Sequence, residues 1–351
     1  MDFLKKLPTP EELAEQLPLS AELKIKKQRF DKEMRDLFAG KSKKFLLAVG
    51  PCSADRVESV VDYATRLGKL QEEIKDNILI VPRVYTGKPR TVGNGYKGIV
   101  HQPYIGGRED MAAGVVAMRN MHKQVIEASG LFTVDELLYP ELIQYVHDLL
   151  GYVVIGARSV ENQQHRLVAS GINVPVGMKN PISGSIKVTL NAIETAQSPH
   201  HFLFNGYEVI SRGNEYTHAV LRGYLEEGWV AQENYDYERL VIIHKMYAER
   251  NLENPAVVID CNHSNSGKDY LKQIDIAFDV LHSMERNTDV RGMVKGLMIE
   301  SYIEDGCQAT DGTVYGQSIT DPCLGWEKTE KLIRDINEHL ERVNYVPDAR
   351  E

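Results

Sequence analysis

Apolar and polar positions follow two rhythms along this chain. Short runs of consecutive apolar residues recur throughout, each followed by a longer stretch in which apolar positions return every three or four residues. The runs predict eight strands: Phe45–Val49, Ile78–Val84, Leu131–Val134, Tyr152–Ile155, Val174–Gly177, Ala219–Arg222, Ala256–Asp260 and Val294–Ile299. The stretches predict helices near residues 57–74, 111–129, 140–150, 160–169, 186–197, 237–250 and 267–285, with a last one after Asp321 that carries Trp326, Leu332, Ile333, Ile336 and Leu340. Ahead of the first strand, Thr9-Pro10-Glu11-Glu12 offers an N-cap, Pro at the first helical position and Glu at the third. Ser20 caps a second helix with Leu23, Phe30, Met34 and Leu37 on one face and Gly40 as its stop. Eight strand–helix units predict a single closed (β/α)8 TIM barrel rather than an open doubly wound sheet. The expected division is a helical extension over 1–44 and a catalytic barrel over 45–351. His201–Phe204 and Tyr207–Ile210, followed by Arg212-Gly213-Asn214, predict an inserted β-ribbon at about 201–216, before the sixth strand.

Charge narrows the partners. The 351 residues include 41 Lys and Arg against 50 Asp and Glu, a formal net charge of −9. Without a sustained basic stripe, nucleic acid is excluded as the main partner, because binding by counterion release needs a basic surface. No apolar run is long enough to span a bilayer, and MDFLKKLPTPEELAEQLPLS lacks the apolar core of a signal peptide, so a cytoplasmic location is expected. Four cysteines, Cys52, Cys261, Cys307 and Cys323, have no CxxC spacing and are too few for a disulfide framework.

In a barrel of this kind the C-terminal strand ends face the active site. Here they are consistently polar: Gly50-Pro51-Cys52-Ser53, Pro82-Arg83 with Lys88-Pro89-Arg90-Thr91, Asp135-Glu136, Ala157-Arg158, Met178-Lys179-Asn180, Leu221-Arg222-Gly223, Asp260-Cys261-Asn262-His263 and Glu300-Ser301, with Ser318-Ile319-Thr320-Asp321 beyond. Two chemical sets emerge. Arg83, Lys88, Arg90, Arg158, Lys179 and Arg222 are cations, and Cys52, His263, Glu300 and Asp321 are potential metal ligands. Each has a plainer explanation: solvated surface for the cations, a core thiol for Cys52, helix caps for His263 and Asp321, and an ion-pair partner of an arginine for Glu300. Independent surface charges would not fall at nearly every strand mouth, so the joint pattern favours a site. Six cations inside an acidic protein imply anionic substrate groups: two phosphorylated substrates, or one phosphate plus a carboxylate and a second phosphate. A mixed S/N/O set suits one divalent ion of borderline softness, Mn²⁺, Fe²⁺, Co²⁺ or Zn²⁺, which could polarise a carbonyl.

These motifs, with Arg83-Val84-Tyr85, Ile155-Gly156-Ala157-Arg158, Pro175-Val176-Gly177-Met178-Lys179-Asn180 and Gln317-Ser318-Ile319-Thr320-Asp321-Pro322-Cys323, resemble type I 3-deoxy-D-arabino-heptulosonate 7-phosphate (DAHP) synthases over roughly residues 45–340. The likeness is to the metal-dependent alpha subgroup, with its helical N-terminal extension and its ribbon before the sixth strand. The resemblance implies condensation of phosphoenolpyruvate with erythrose 4-phosphate and release of phosphate, the first step of the shikimate pathway to chorismate and the aromatic amino acids. It implies that Cys52, His263, Glu300 and Asp321 hold the metal. Arg83, Lys88, Arg158, Lys179 and Arg222, with Glu136 beside them, would grip phosphoenolpyruvate, and Arg90 and Thr91 the aldose phosphate. On chemical grounds, Lys88 is a candidate proton donor to the new alkoxide, and Glu136 or a metal ligand such as His263 a candidate to orient or deprotonate the attacking water. A homo-oligomer, dimer or tetramer, and an aromatic amino-acid effector are further family expectations.

The chain departs from the better-known alpha members at Val92-Gly93-Asn94-Gly95-Tyr96-Lys97-Gly98 and Gly106-Gly107-Arg108-Glu109-Asp110, where a Gly-Trp-Lys-Gly type stretch is usual. That places the difference beside the aldose site. Cys323, two residues beyond Asp321, is expected near Cys52, so metal-free enzyme should be prone to oxidation through a Cys52–Cys323 disulfide. Competing readings are a related phosphoenolpyruvate-condensing synthase acting on another aldose such as arabinose 5-phosphate, a metal-dependent sugar-phosphate aldolase, and a non-catalytic effector-binding barrel. The Lys-Pro-Arg-Thr segment favours the four-carbon aldose, since the other branch is expected to carry Asn in place of that Arg.

Overall fold

A computed structural model describes residues 1–90, 93–226 and 230–344. Its elements are, in chain order, α1 (Pro10–Gln16), α2 (Ala21–Phe38), β1 (Phe45–Gly50), α3 (Val57–Ile74), β2 (Ile78–Pro82), α4 (Met111–Ser129), β3 (Thr133–Glu136), α5 (Ile143–Val146), β4 (Leu150–Ile155), α6 (Gln163–Ala169), β5 (Val176–Lys179), α7 (Ile186–Gln197), β6 (His201–Phe204), β7 (Tyr207–Ile210), β8 (Thr217–Leu221), β9 (Tyr224–Leu225), β10 (Ala231–Gln232), α8 (Tyr237–Ala248), β11 (Val257–Asp260), α9 (His263–Ser266), α10 (Lys272–Arg286), α11 (Thr288–Met293), β12 (Val294–Glu300) and α12 (Trp326–Asn344).

Eight of these strands form one parallel sheet in the order β2-β1-β12-β11-β8-β5-β4-β3. A parallel bridge between Arg83 and Val134 brings β2 against β3 and rounds the sheet into the (β/α)8 barrel. Nearly every barrel-strand residue is buried, as expected for strands that face side-chain layers inside and helices outside. All eight predicted strands are present. The third and fifth lie two residues later than their hydrophobic runs suggested, at Thr133–Glu136 and Val176–Lys179. There the runs begin in the incoming turns, and the polar ends of the strands are held by ladder hydrogen bonds. The helix expected over 140–150 is corrected to a 3-10 turn at Pro140–Leu142 and the short α5, because Leu149 and Leu150 are spent on entering β4. The ribbon β6–β7 pairs antiparallel where expected, and β9–β10 forms a second, unexpected ribbon.

Helix α2 closes the other end of the barrel. Thr9 and Glu12 make the reciprocal capping box of α1, and Ser20 caps α2. Along α2, Phe30, Met34, Leu37 and Phe38 are buried. Phe30 lies against Phe132, with ring centroids 5.4 Å apart, and over Gly151, where a Cβ would come within 2.2 Å of its ring. Phe38 stacks on His218, centroids 4.1 Å apart. These partners sit near the N-terminal ends of β4 and β8, so α2 covers that mouth and leaves the C-terminal mouth for chemistry.

Candidate active site

Parallel register brings the strand ends level. Gly50 pairs with Glu300, Lys179 with Val220, and Asp260 with Met298. Side chains that leave the strands there converge on a cavity of about 410 Å³ lined by Tyr85, Lys88, Arg90, Glu136, Arg158, Lys179, Arg222, His263, Lys268, Glu300 and Asp321, among others. Five of the six predicted cations therefore share one pocket. The sixth, Arg83, lies outside the lining, fully buried, with Nη2 2.8 Å from Glu300 Oε1 and its guanidinium 4.0 Å from the centroid of the Tyr85 ring. Gly50 permits that placement, since a Cβ on it would come within 2.6 Å of the Arg83 carbonyl oxygen. Two donors of Arg83, Nε and Nη1, have no hydrogen-bond partner among the described residues. Thr91 lies outside the described residues.

The potential metal ligands also gather. Cys52, Glu300 and Asp321 each offer an atom within 4.8 Å of the others. His263 stands at the edge of this group, its Nε2 3.9 Å from Glu300 Oε1 and its Nδ1 2.9 Å from Asp260 Oδ2. Its φ of 51° lies in the left-handed region that non-glycine residues seldom occupy, a local cost that often marks functional positions. Glu300 also accepts from Asn262 Nδ2 at 2.6 Å, and Lys88 Nζ lies 3.2 Å from Cys52 Sγ and 2.8 Å from its carbonyl oxygen. The plain ion-pair explanation of Glu300 thus holds together with its place in the ligand cluster. Soft sulfur and hard carboxylates within reach of one another, with an imidazole nitrogen at their edge, fit a borderline divalent ion. Cys323 is buried, and its Sγ lies 3.5 Å from the Asp321 carbonyl oxygen.

Electrostatics follow from this crowding of opposite charges. Burial raises the pKa of Glu136, but Lys179, 3.0 Å away, and Lys88 outweigh it and hold the carboxylate ionised. Burial likewise opposes ionisation of Asp260 and Asp321. His263, Lys179 and Arg83 keep Asp260 well below the usual carboxylate range, while Lys88, His263 and Lys268 pull Asp321 down to about 2. Burial favours neutral Lys88, yet Cys52, Glu300, Asp321 and Glu136 push its pKa up. Burial and Glu300 keep the Cys52 thiol protonated, against Lys88.

Asp260, Asn262, Tyr85 and Lys268 were not singled out in the sequence. Asp260 ends a strand and obeys the same mouth-of-the-barrel rule, but its carboxylate lies outside the Cys52–Glu300–Asp321 cluster; its 2.9 Å approach to His263 and 3.5 Å approach to Lys179 reveal its part.

Comparison with known proteins agrees with this geometry. Residues 21–334 match the DAHP synthetase I family. The chain is 35% identical over 343 residues to the Tyr-sensitive phospho-2-dehydro-3-deoxyheptonate aldolase of Escherichia coli (strain K12), covering 95% of this chain and 93% of that protein. It is 35% identical over 342 residues to the Phe-sensitive enzyme of the same strain, covering 95% and 94%. Among solved structures, phospho-2-dehydro-3-deoxyheptonate aldolase from Francisella tularensis SCHU S4 superposes with a TM-score of 0.90 at 31% identity, over 97% of this chain and 98% of that one. With a match that runs from the start of α2 through the eight barrel strands and their polar mouths, the chain belongs to the DAHP synthetase I family.

Proposed function

We propose that the cavity at the barrel mouth holds phosphoenolpyruvate and erythrose 4-phosphate side by side. The chain is a DAHP synthase: it condenses these two compounds and releases phosphate, the entry step of aromatic biosynthesis. The observation that carries the site assignment is the convergence of Lys88, Arg90, Arg158, Lys179 and Arg222 on one cavity in a protein of net charge −9. Arg158, Lys179 and Arg222, with Arg83 beneath, bind the phosphate and carboxylate of phosphoenolpyruvate. The two unpartnered donors of Arg83 favour this, because buried donors without acceptors are rare and an anion supplies acceptors. Arg90 is held by the Tyr96 carbonyl through Nε, 2.8 Å away, which leaves the rest of its guanidinium for the aldose phosphate, with Thr91 as its neighbour.

Cys52, His263, Glu300 and Asp321 would hold the divalent ion, Mn²⁺, Fe²⁺, Co²⁺ or Zn²⁺, whose chemistry there is to polarise the aldehyde carbonyl. The charged ends of the two substrates, gripped by separate cations, hold the enol carbon and the aldehyde carbon in line. Lys88, protonated and facing the ligand cluster, donates a proton to the alkoxide formed from the aldehyde. Glu136, ionised beside Lys179, orients the water that attacks C2 of the former phosphoenolpyruvate and accepts its proton. Phosphate release should require both substrates together and should stop on chelation. Release with phosphoenolpyruvate alone would refute the condensation, and Lys88→Ala turning over within about threefold of wild type at saturating substrates would remove the acid role of Lys88.

Two further readings concern regulation and assembly. The relatives' names include Tyr-sensitive and Phe-sensitive enzymes. A second cavity, of about 680 Å³, lies between α2, α5 and the β6–β7 ribbon, with apolar Leu19, Ile143, Val174, Phe202, Phe204 and Val209 beside Lys27 and Asp31. An aromatic ring with an amino-acid head group suits that lining, so inhibition by Tyr, Phe or Trp, relieved in Phe204→Ala, is the expected result. A homo-oligomer is the second reading, favoured by exposed Leu203 and Ile210 on the outer face of the ribbon.

A further inference from the structure

The carboxylate next to Glu136 faces the other way. Successive strand residues point to opposite sides of a sheet, so while Glu136 reaches Lys179 at the pocket, Asp135 points into the layer between the barrel and α4. It is buried there with Thr86, His122 and Thr133, opposite a helix whose buried residues include Val115, Met118 and Val125. All its partners are accounted for. Asp135 Oδ1 accepts from the backbone N–H of Thr86 at 3.0 Å and of Glu136 at 2.8 Å. Oδ2 accepts from the Thr86 hydroxyl and lies 3.2 Å from His122 Nε2. His122 Nδ1 in turn lies 2.8 Å from the Thr133 hydroxyl. The imidazole on α4 therefore spans Thr133 and Asp135, two residues apart on the outward face of β3. With Nε2 facing Asp135 and Nδ1 facing the Thr133 hydroxyl, both ring nitrogens have a partner.

This carboxylate holds the backbone of Glu136 and, through Thr86, the segment that leads to Lys88. Thr86 is two residues before Lys88, and the return leg of the following loop pairs with the same segment: Lys88 donates its N–H to the Lys97 carbonyl at 3.0 Å, and Val100 to the Thr86 carbonyl at 3.2 Å. Gly98 (φ 90°) lets that leg close, since a Cβ there would stand 2.3 Å from the Thr86 carbonyl oxygen. The base of this small ladder is thus tied to β3 through Asp135, next to Glu136. We propose that Asp135, backed by His122, is a positioning residue for the reaction: its one carboxylate fixes the Lys88 loop and the Glu136 backbone relative to each other. It touches no substrate. The inference rests on the roles given to Lys88 and Glu136.

The test uses metal-loaded enzyme and compares Asp135→Asn, which keeps one acceptor oxygen, Asp135→Ala, which keeps none, Glu136→Gln, Lys88→Ala and the two doubles that join an Asp135 change to Glu136→Gln. The expected order of kcat is wild type, Asp135→Asn, Asp135→Ala, with Asn about threefold to tenfold down, Ala at least about 30-fold down, and KM for both substrates within about threefold. In the Glu136→Gln background either Asp135 change should cost clearly less than it does alone, because the share of its effect that runs through Glu136 is already lost while the share through the Lys88 loop remains. A merely structural role predicts instead a loss of folded fraction, read from the unfolding transition, and single effects that multiply in the doubles. If Asp135→Ala does not fold, the Asn variant and its double carry the same comparison. The inference is overturned by Asp135→Asn turning over at the wild-type rate, or by fully multiplicative losses, while Glu136→Gln and Lys88→Ala remain impaired. If Glu136→Gln and Lys88→Ala themselves keep wild-type turnover, the roles beneath the inference fall instead, and the inference with them.

Discussion

Buried between Phe38 and Tyr152 at the closed mouth of the barrel, His218 shows how position sets protonation. Tyr152 Oη lies 2.8 Å from its Nε2 and its Nδ1 lies 2.9 Å from the Tyr216 carbonyl oxygen, an arrangement complete for a neutral ring. Burial lowers its pKa to about 3, only partly offset by the Tyr216 carbonyl. In the unfolded chain the ring titrates near its ordinary value of about 6.5, so between about pH 6.5 and 3 the unfolded state binds the proton that the folded state refuses. Stability should therefore fall as pH drops through that window, by about 1.4 kcal/mol per unit from this group, and be flat in pH above it. Urea titrations at pH 7 and pH 5 check this: the drop between them should shrink by about 2 kcal/mol in His218→Gln, and an unchanged drop would refute it. At the other mouth, Cys52→Ser exchanges a soft donor for a hard one. It should weaken Zn²⁺ and Fe²⁺ binding at least about tenfold in direct titration, with the unfolding midpoint of metal-free protein little changed.

At the scale of elements, α2 is joined to the barrel by side chains rather than by a backbone ladder. Phe30 fills the space over Gly151 and meets Phe132, so Phe30→Ala should destabilise the fold by about 3 kcal/mol through lost burial and a residual cavity. Because those contacts lie at the closed mouth, kcat at saturating substrates should stay within about twofold; a larger loss would mean that the helix governs the open mouth as well. The element pattern was legible from hydrophobic period alone: the bounds of α3 at Val57–Ile74, α4 at Met111–Ser129 and α7 at Ile186–Gln197 coincide with the predicted stretches. Where the pattern misplaced an element, at α5, an apolar run served two elements in succession, and periodicity has no means of dividing it. The ribbon β9–β10 escaped notice because two-residue strands carry no period at all.

For the molecule as a whole, removal of the divalent ion should abolish phosphate release and lower the unfolding temperature by mass action, both restored on adding metal back. If the outer face of the ribbon joins two copies, Leu203→Lys with Ile210→Lys should reduce the sedimentation mass; an unchanged mass would assign the contact elsewhere. The sequence by itself determined the barrel, because alternation of apolar run and amphipathic stretch is written locally, residue by residue. It also determined which residues could meet, because a parallel barrel sends every strand's C-terminal end to one mouth. Only the tertiary structure decided how they meet. Arg83 turned beneath the pocket toward Glu300, His263 stands at the rim of the Cys52–Glu300–Asp321 cluster with Asp260 at its back, and Asp135 faces α4 rather than the pocket. Those outcomes depend on which side of a strand a residue takes and on which opposite charge lies within about 3 to 4 Å, where buried ions interact strongly. Both quantities are set by strands distant in sequence.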